Sequence, residues 1–132
     1  SFCCGDVKCV VATDMGCVSE RVEQDLAYAD VMVFESNHDV AMLRNGPYPE
    51  YLKKRILSNR GHLSNMDTGR CLARMGKKPG MHVFLAHLSQ HNNCPELAMS
   101  TVGQVLDRQG IRLEQDVYLH LAHPSDTVSF AL

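Results

Sequence analysis

Three short apolar runs constrain this chain more than any other feature, because each is strand-like and each stops abruptly at polar residues. They are Val7 to Thr13, Asp30 to Phe34 and Met81 to Leu88, and they end at Asp14, at Glu35-Ser36-Asn37-His38-Asp39 and at Ser89-Gln90-His91-Asn92-Asn93. Runs of this length, rich in β-branched residues and without polar alternation, fit strands buried on both faces. The stretches between them carry helix signals, so the strands are joined by helical crossovers and pair in parallel.

Those helix signals are specific. Ser19 is placed as an N-cap, with Val22, Leu26 and Ala29 spaced for one helix face. Val40 to Asn45 suits a short helix closed by Gly46, and Pro49 opens another over Glu50 to Ser58. Ser64 followed by Asp67 resembles a capping box with aspartate in place of glutamate, which predicts a helix to about Met75 and a stop at Gly76. Pro95 to Gln109 is amphipathic and stopped by Gly110, and Val117 to Ala122 is a last strand. The predicted order is β-α-β-α-α-α-β-α-β: an α/β fold with a mixed or mostly parallel sheet and flanking helices. Ligands of such sheets gather at the carboxyl ends of the strands, so three polar strand ends on one rim point to one site.

With 132 residues, 45% of them hydrophobic, the chain has room for one domain, residues 1–132, and excludes a disordered or collagen-like class. No apolar run reaches the roughly 18–20 residues of a membrane span, and the first residues show no leader, so no membrane partner is expected. Six cysteines without a Cys-x-x-Cys pair read as reduced thiols, which favours a cytoplasmic location. The net charge of −2 conceals an asymmetry: residues 44–78 hold nine basic side chains against Glu50 and Asp67, a local +7, and the rest carries −9. That segment is either a solvated helical face or the contact for a phosphate-bearing ligand.

Asp14 before Gly16 is a hard oxygen ligand at a strand tip, or else an Asx-turn. His87 lies within an apolar run, where an imidazole must hydrogen-bond or bind a metal; for a lone histidine the core role is the commoner one. Glu35 and His62 are candidates for an acid–base pair, a carboxylate orienting an imidazole that protonates a leaving oxygen, although 27 residues separate them. A loop histidine that caps a helix explains His62 equally well. His82, His91, His120 and His123 have no partner that spacing identifies.

Several strings together go further: Thr13-Asp14-Met15-Gly16; Glu35-Ser36-Asn37-His38-Asp39 with Met42-Leu43, Gly46, Tyr48-Pro49, Leu52-Lys53 and Arg55-Ile56; Gly61-His62-Leu63-Ser64-Asn65; and His87-Leu88-Ser89-Gln90 with Asn92-Asn93 and Pro95-Glu96-Leu97-Ala98. They resemble the carboxyl-terminal half of metallo-β-lactamase-fold hydrolases of the YycJ (WalJ) type, over nearly the whole chain. The resemblance implies half of an αββα sandwich and a parent enzyme that hydrolyses phosphodiesters, a DNA exonuclease, through two divalent ions, zinc or manganese. It implies Asp14 as the carboxylate between the metals, His87 as a histidine on one of them, and Glu35 with His62 as the proton-transfer pair. His38, Asp39, Ser64, Asn65, Asn92 and Asn93 are expected to bind substrate.

The family's His-x-His-x-Asp-His string is absent from this sequence. The chain is therefore read as a fragment that holds no metal tightly and is inactive alone, partnered by its own amino-terminal half or by a second copy, with nucleic acid as the parent's ligand. The alternatives are a noncatalytic nucleic-acid-binding module using Tyr48 and Tyr51, and an ester or thioester hydrolase on the same fold.

Overall fold

The computed structural model describes residues 1–129 and Ala131. Five strands, β1 (Phe2–Cys4), β2 (Val7–Ala12), β3 (Val31–Glu35), β4 (Met81–Ala86) and β5 (Val117–Leu121), form one sheet in the order β1-β2-β3-β4-β5. The helices are α1 (Glu20–Leu26), α2 (Val40–Asn45), α3 (Glu50–Ile56), α4 (Asn65–Arg74) and α5 (Pro95–Arg108). β2 to β5 run parallel, and β1 pairs antiparallel with β2, so the sheet is mixed.

The expected cap residues are in place. The Ser19 hydroxyl accepts from the Val22 N–H, and the Ser64 hydroxyl accepts from the Asp67 N–H while donating to the Asp67 carboxylate. Pro49 sits one position earlier than a first helical residue, as the N-cap of α3. Three expectations need correction. β1 was not foreseen, because a three-residue exposed strand gives no periodicity; it folds back through Gly5, whose φ of +60° a side chain would disfavour. α1 stops at Leu26, before Ala29, because Ala27 leaves the helical region at ψ 150° and Tyr28 follows at φ +58°. β4 stops at Ala86, two residues before Leu88, which places His87 just past the strand instead of within it.

With sequential strand order and the right-handed crossovers that parallel strands prefer, α1, α4 and α5 pack against one face of the sheet. The core lies there: Val10, Ala12, Met32, Phe34, Val83 and Leu85 meet Leu26 of α1, Cys71 and Leu72 of α4 and Ala98, Val102 and Leu106 of α5. Strand residues of the other parity look the opposite way. Among them Val11 is 57% exposed, and Cys9, Val31, Val33 and Tyr118 are only partly buried. Phe84 and Ala86 of the same parity are nevertheless buried. A sheet covered on one side is consistent with half of an αββα sandwich. On the open face the registers of β4 and β5 bring His82 Nδ1 to 2.9 Å from His120 Nε2, a pair that linear spacing does not reveal.

The loop after α3 is folded tightly back on that helix. Gly61 N–H donates to the Ser58 carbonyl and His62 N–H to the Ile56 carbonyl, and a Cβ on Gly61 would overlap the Ile56 and Arg55 carbonyl oxygens. Gly61→Ala is thus expected to destabilise the fold by about 1–3 kcal/mol, read as a lower midpoint in denaturant; an unchanged midpoint would show that the loop is not held where it is described.

Candidate active site

Four elements deliver four side chains to one point on the carboxyl rim. Asp14 follows β2, Glu35 ends β3, His62 closes the loop after α3, and His87 follows β4. One donor atom from each lies within 4.8 Å of the others. Glu35 is the centre of the group. Its carboxylate is wholly buried, and Oε1 accepts from both His62 Nδ1 and His87 Nδ1, each at 2.7 Å. Oε2 accepts from the Met15 N–H at 2.8 Å and, at the longer distance of 3.4 Å, from the Leu63 N–H. Burying a carboxylate is costly unless donors surround it, and here they come from three separate loops.

The two imidazoles have equivalent second halves. A carboxylate only accepts, so each Nδ1 carries the hydrogen and each Nε2 is left as the ring nitrogen available to a ligand. The rings stand edge to face, 5.1 Å between centroids. Asp14 Oδ1 lies 3.6 Å from His87 Nδ1 and 4.0 Å from His62 Nδ1, and its side chain is 73% exposed, which leaves its oxygens free for something outside the chain. Asp14 and His87 both adopt φ +58°. That conformation is unfavourable for residues with a Cβ and persists only where neighbours fix it. Around Asp14 the fixing contact is Met15 N–H to Glu35. Around His87 it is the Asn37 side chain, whose Nδ2 donates to the His87 carbonyl at 2.8 Å.

A cavity of about 560 Å³ opens at this cluster, and its lining includes Asp14, Asn37, His62 and His87 together with Tyr48, Arg55 and Arg60. Asn37, Arg55 and Arg60 line the cavity, and the sequence alone assigned none of them a role. Asn37 had a signal, since it lies inside the polar string after β3, and Arg55 stands within the strings that carry the resemblance; Arg60 had only the charge of its segment. Tyr51 is 74% exposed and is not among the residues lining the cavity.

The six residues expected at the substrate are placed in a polar layer beneath and beside this cluster. Asn65 and Asn93 form a reciprocal amide pair, Nδ2 of each on Oδ1 of the other at 2.9 Å, with Ser36 Oγ donating to Asn65 Oδ1. Asn93 Nδ2 also reaches the Ser36 and Asn37 carbonyls, and the Asn92 carbonyl accepts from Asp39 N–H. Asp39 caps α2 through the Met42 N–H, and Ser64 caps α4. His38 is 1% exposed, and neither ring nitrogen has a hydrogen-bond partner among the described residues. Burial, reinforced by the neighbouring His62, pushes its pKa below the ordinary 6.5.

No protein-family model matches the chain, and no solved structure matches it. Curated relatives do. Exodeoxyribonuclease YycJ of Bacillus anthracis is 43% identical over 117 residues, 89% of this chain and 44% of that protein. Exodeoxyribonuclease WalJ of Streptococcus pneumoniae serotype 2 (strain D39 / NCTC 7466) is 41% identical over 115 residues, 86% of this chain and 43% of that protein. The chain is a homologue of the proteins named YycJ and WalJ. It spans less than half of their length, so the YycJ/WalJ-type sequence here carries one part of what those proteins hold. The aligned stretches are long enough that most of the clustered rim residues of this YycJ/WalJ homologue must fall within them.

The His38 ring gives a pH test. Its folded pKa is lower than its unfolded one, so the unfolded chain binds the extra proton first, and the stability conferred by the neutral buried ring falls as pH drops below about 6.5. Denaturant titrations at about pH 7.5 and 5.5 are expected to show a smaller loss for His38→Leu than for the parent sequence; equal losses would mean that the ring is solvated or paired.

Proposed function

We propose that this chain is part of a metal-dependent exodeoxyribonuclease of the metallo-β-lactamase superfamily, the carboxyl-terminal half of its catalytic domain, and that it supplies one side of a dinuclear centre. The observation that carries the reading is the cluster of Asp14, Glu35, His62 and His87 in a homologue of two exodeoxyribonucleases. The donor set fits a divalent ion. An exposed carboxylate and a half-exposed imidazole whose Nδ1 is anchored on a buried carboxylate are the oxygen and nitrogen donors, with the outer-sphere partner, that zinc or manganese sites use. Asp14 and His87 would hold the metals together with ligands from outside this chain. Bound there, divalent ions would offset the charge that develops on phosphoryl oxygens and lower the pKa of water.

The remaining steps belong to the chain's own groups. Glu35, shielded from solvent, does not touch substrate; it holds both imidazoles through Nδ1–H and stabilises positive charge on His62. His62, 31% exposed, presents Nε2 to the leaving oxygen and protonates it. The polar layer of His38, Asp39, Ser64, Asn65, Asn92 and Asn93 keeps the loops in register beneath the substrate. The open face of the sheet is covered by the amino-terminal half of the same protein, which the length of the relatives provides for, rather than by a second copy.

In the intact protein, Asp14→Ala is expected to abolish both metal binding, read by elemental analysis after dialysis, and hydrolysis of DNA. His62→Ala is expected to retain the metals and lose about 10²- to 10⁴-fold in turnover, less with a good leaving group. A His62→Ala protein without metal, or with full turnover on an unactivated phosphodiester, contradicts these roles. A parent protein that binds DNA but never cleaves it would favour the noncatalytic alternative.

A further inference from the structure

The basic segment resolves into two populations. Lys53 donates to the Arg44 carbonyl and pairs with Glu50, Arg70 pairs with Asp67, Arg74 with Glu23 and Lys78 with Asp30, while Lys77 donates to the Leu72, Ala73 and Met75 carbonyls at the end of α4. Five of the nine cations thus have partners within the chain. Arg44, Lys54, Arg55 and Arg60 have no acid partner among the described residues. Two of these four, Arg55 and Arg60, line the cavity that contains Asp14, His62 and His87.

Their placement is built rather than incidental. Arg55 lies in the last turn of α3, and Arg60 lies in the loop that Gly61 and His62 clamp onto the Ser58 and Ile56 carbonyls. Since Gly61 leaves no room for a Cβ, Arg60 and His62 are carried by one tight turn packed on α3. The same cavity contains the exposed carboxylate of Asp14, which repels an approaching anion. Two arginines in the same lining supply the compensating positive charge, and a planar guanidinium matches phosphate oxygens in paired hydrogen bonds.

The geometry points to Arg55 and Arg60 as a phosphate clamp that grips a backbone phosphate beside the scissile one, so that the site selects a nucleic-acid strand over an isolated phosphodiester. The clamp rests on the phosphodiesterase reading of the same cavity. It assigns the two arginines to substrate positioning, with the proton transfer left to His62. Neither side chain makes a hydrogen bond or ion pair within the described residues, so replacing them leaves the fold intact.

The test uses the intact protein that carries this sequence, with Arg55→Gln, Arg60→Gln, the double variant, and Lys54→Gln as an exposed cation outside the cavity. Binding of a fluorescein-labelled single-stranded DNA oligonucleotide is measured by anisotropy between about 50 and 200 mM salt with divalent cation withheld. Each arginine variant is expected to weaken binding about tenfold and to make the slope of log K against log salt shallower by about 0.7, independent of DNA sequence. Lys54→Gln is expected to keep the parent slope. With metal supplied, the ratio of kcat/KM for DNA to that for bis(p-nitrophenyl) phosphate is expected to fall, the loss residing in KM. Arginine variants that match Lys54→Gln in slope, affinity and that ratio overturn the clamp. A parent protein that hydrolyses neither substrate overturns the phosphodiesterase reading instead, and the salt slopes still decide whether the clamp exists.

Discussion

The buried carboxylate of Glu35 is the interaction on which the rest of the site depends. An ionised group at 0% exposure is tolerable only with donors around it, and its four N–H contacts come from the loop after β2, the loop after α3 and the end of β4. None of these segments is near Glu35 in sequence. Each donor therefore reports that one crossover has closed correctly, and loss of any of them leaves charge or a polar hydrogen without a partner in the interior. The cluster is in this sense a product of tertiary structure: β3 alone places the carboxylate, and only the assembled rim surrounds it.

The polar layer around residues 36–39 extends the same logic to the backbone. Ser36, Asn37 and Asp39 N–H groups donate to the Ala86, Leu63 and Asn92 carbonyls, and Thr68 Oγ1 donates to the Glu35 carbonyl at 2.6 Å. This ties the loops at the ends of β3 and β4 to the start of α4, and Asn37, fixed in that layer, holds the carbonyl of His87, which keeps φ +58° without glycine. Rigid support beneath and exposed donors above are what an active centre requires, because the reacting groups must be fixed before the substrate arrives.

Much of this architecture was legible in the sequence. The apolar runs located β2 to β5, and the serines at positions 19 and 64 marked two helix starts, because caps and buried runs are local signals with local causes. Reading Asp14, Glu35, His62 and His87 as one group rested on resemblance and on the shared rim. What spacing alone could not show is that Glu35 serves both imidazoles, since contacts across 27 and 52 residues depend on which strands are neighbours. His87 was misplaced inside its strand because an apolar run does not reveal where the ladder ends. Arg55 and Arg60 received no role from the sequence, since composition does not separate cations that seal helix ends from cations that line a cavity.

If Glu35 sets the tautomer of both rings, nitrogen NMR of the imidazoles tests the account at its root. With the rings in their neutral form, His62 and His87 are expected each to show a protonated Nδ1 and an unprotonated Nε2, and Glu35→Gln is expected to disturb both rings together. A hydrogen on Nε2 of either ring in the parent protein, or a Glu35→Gln spectrum in which both rings are unchanged, would contradict the claim that one buried carboxylate organises the site.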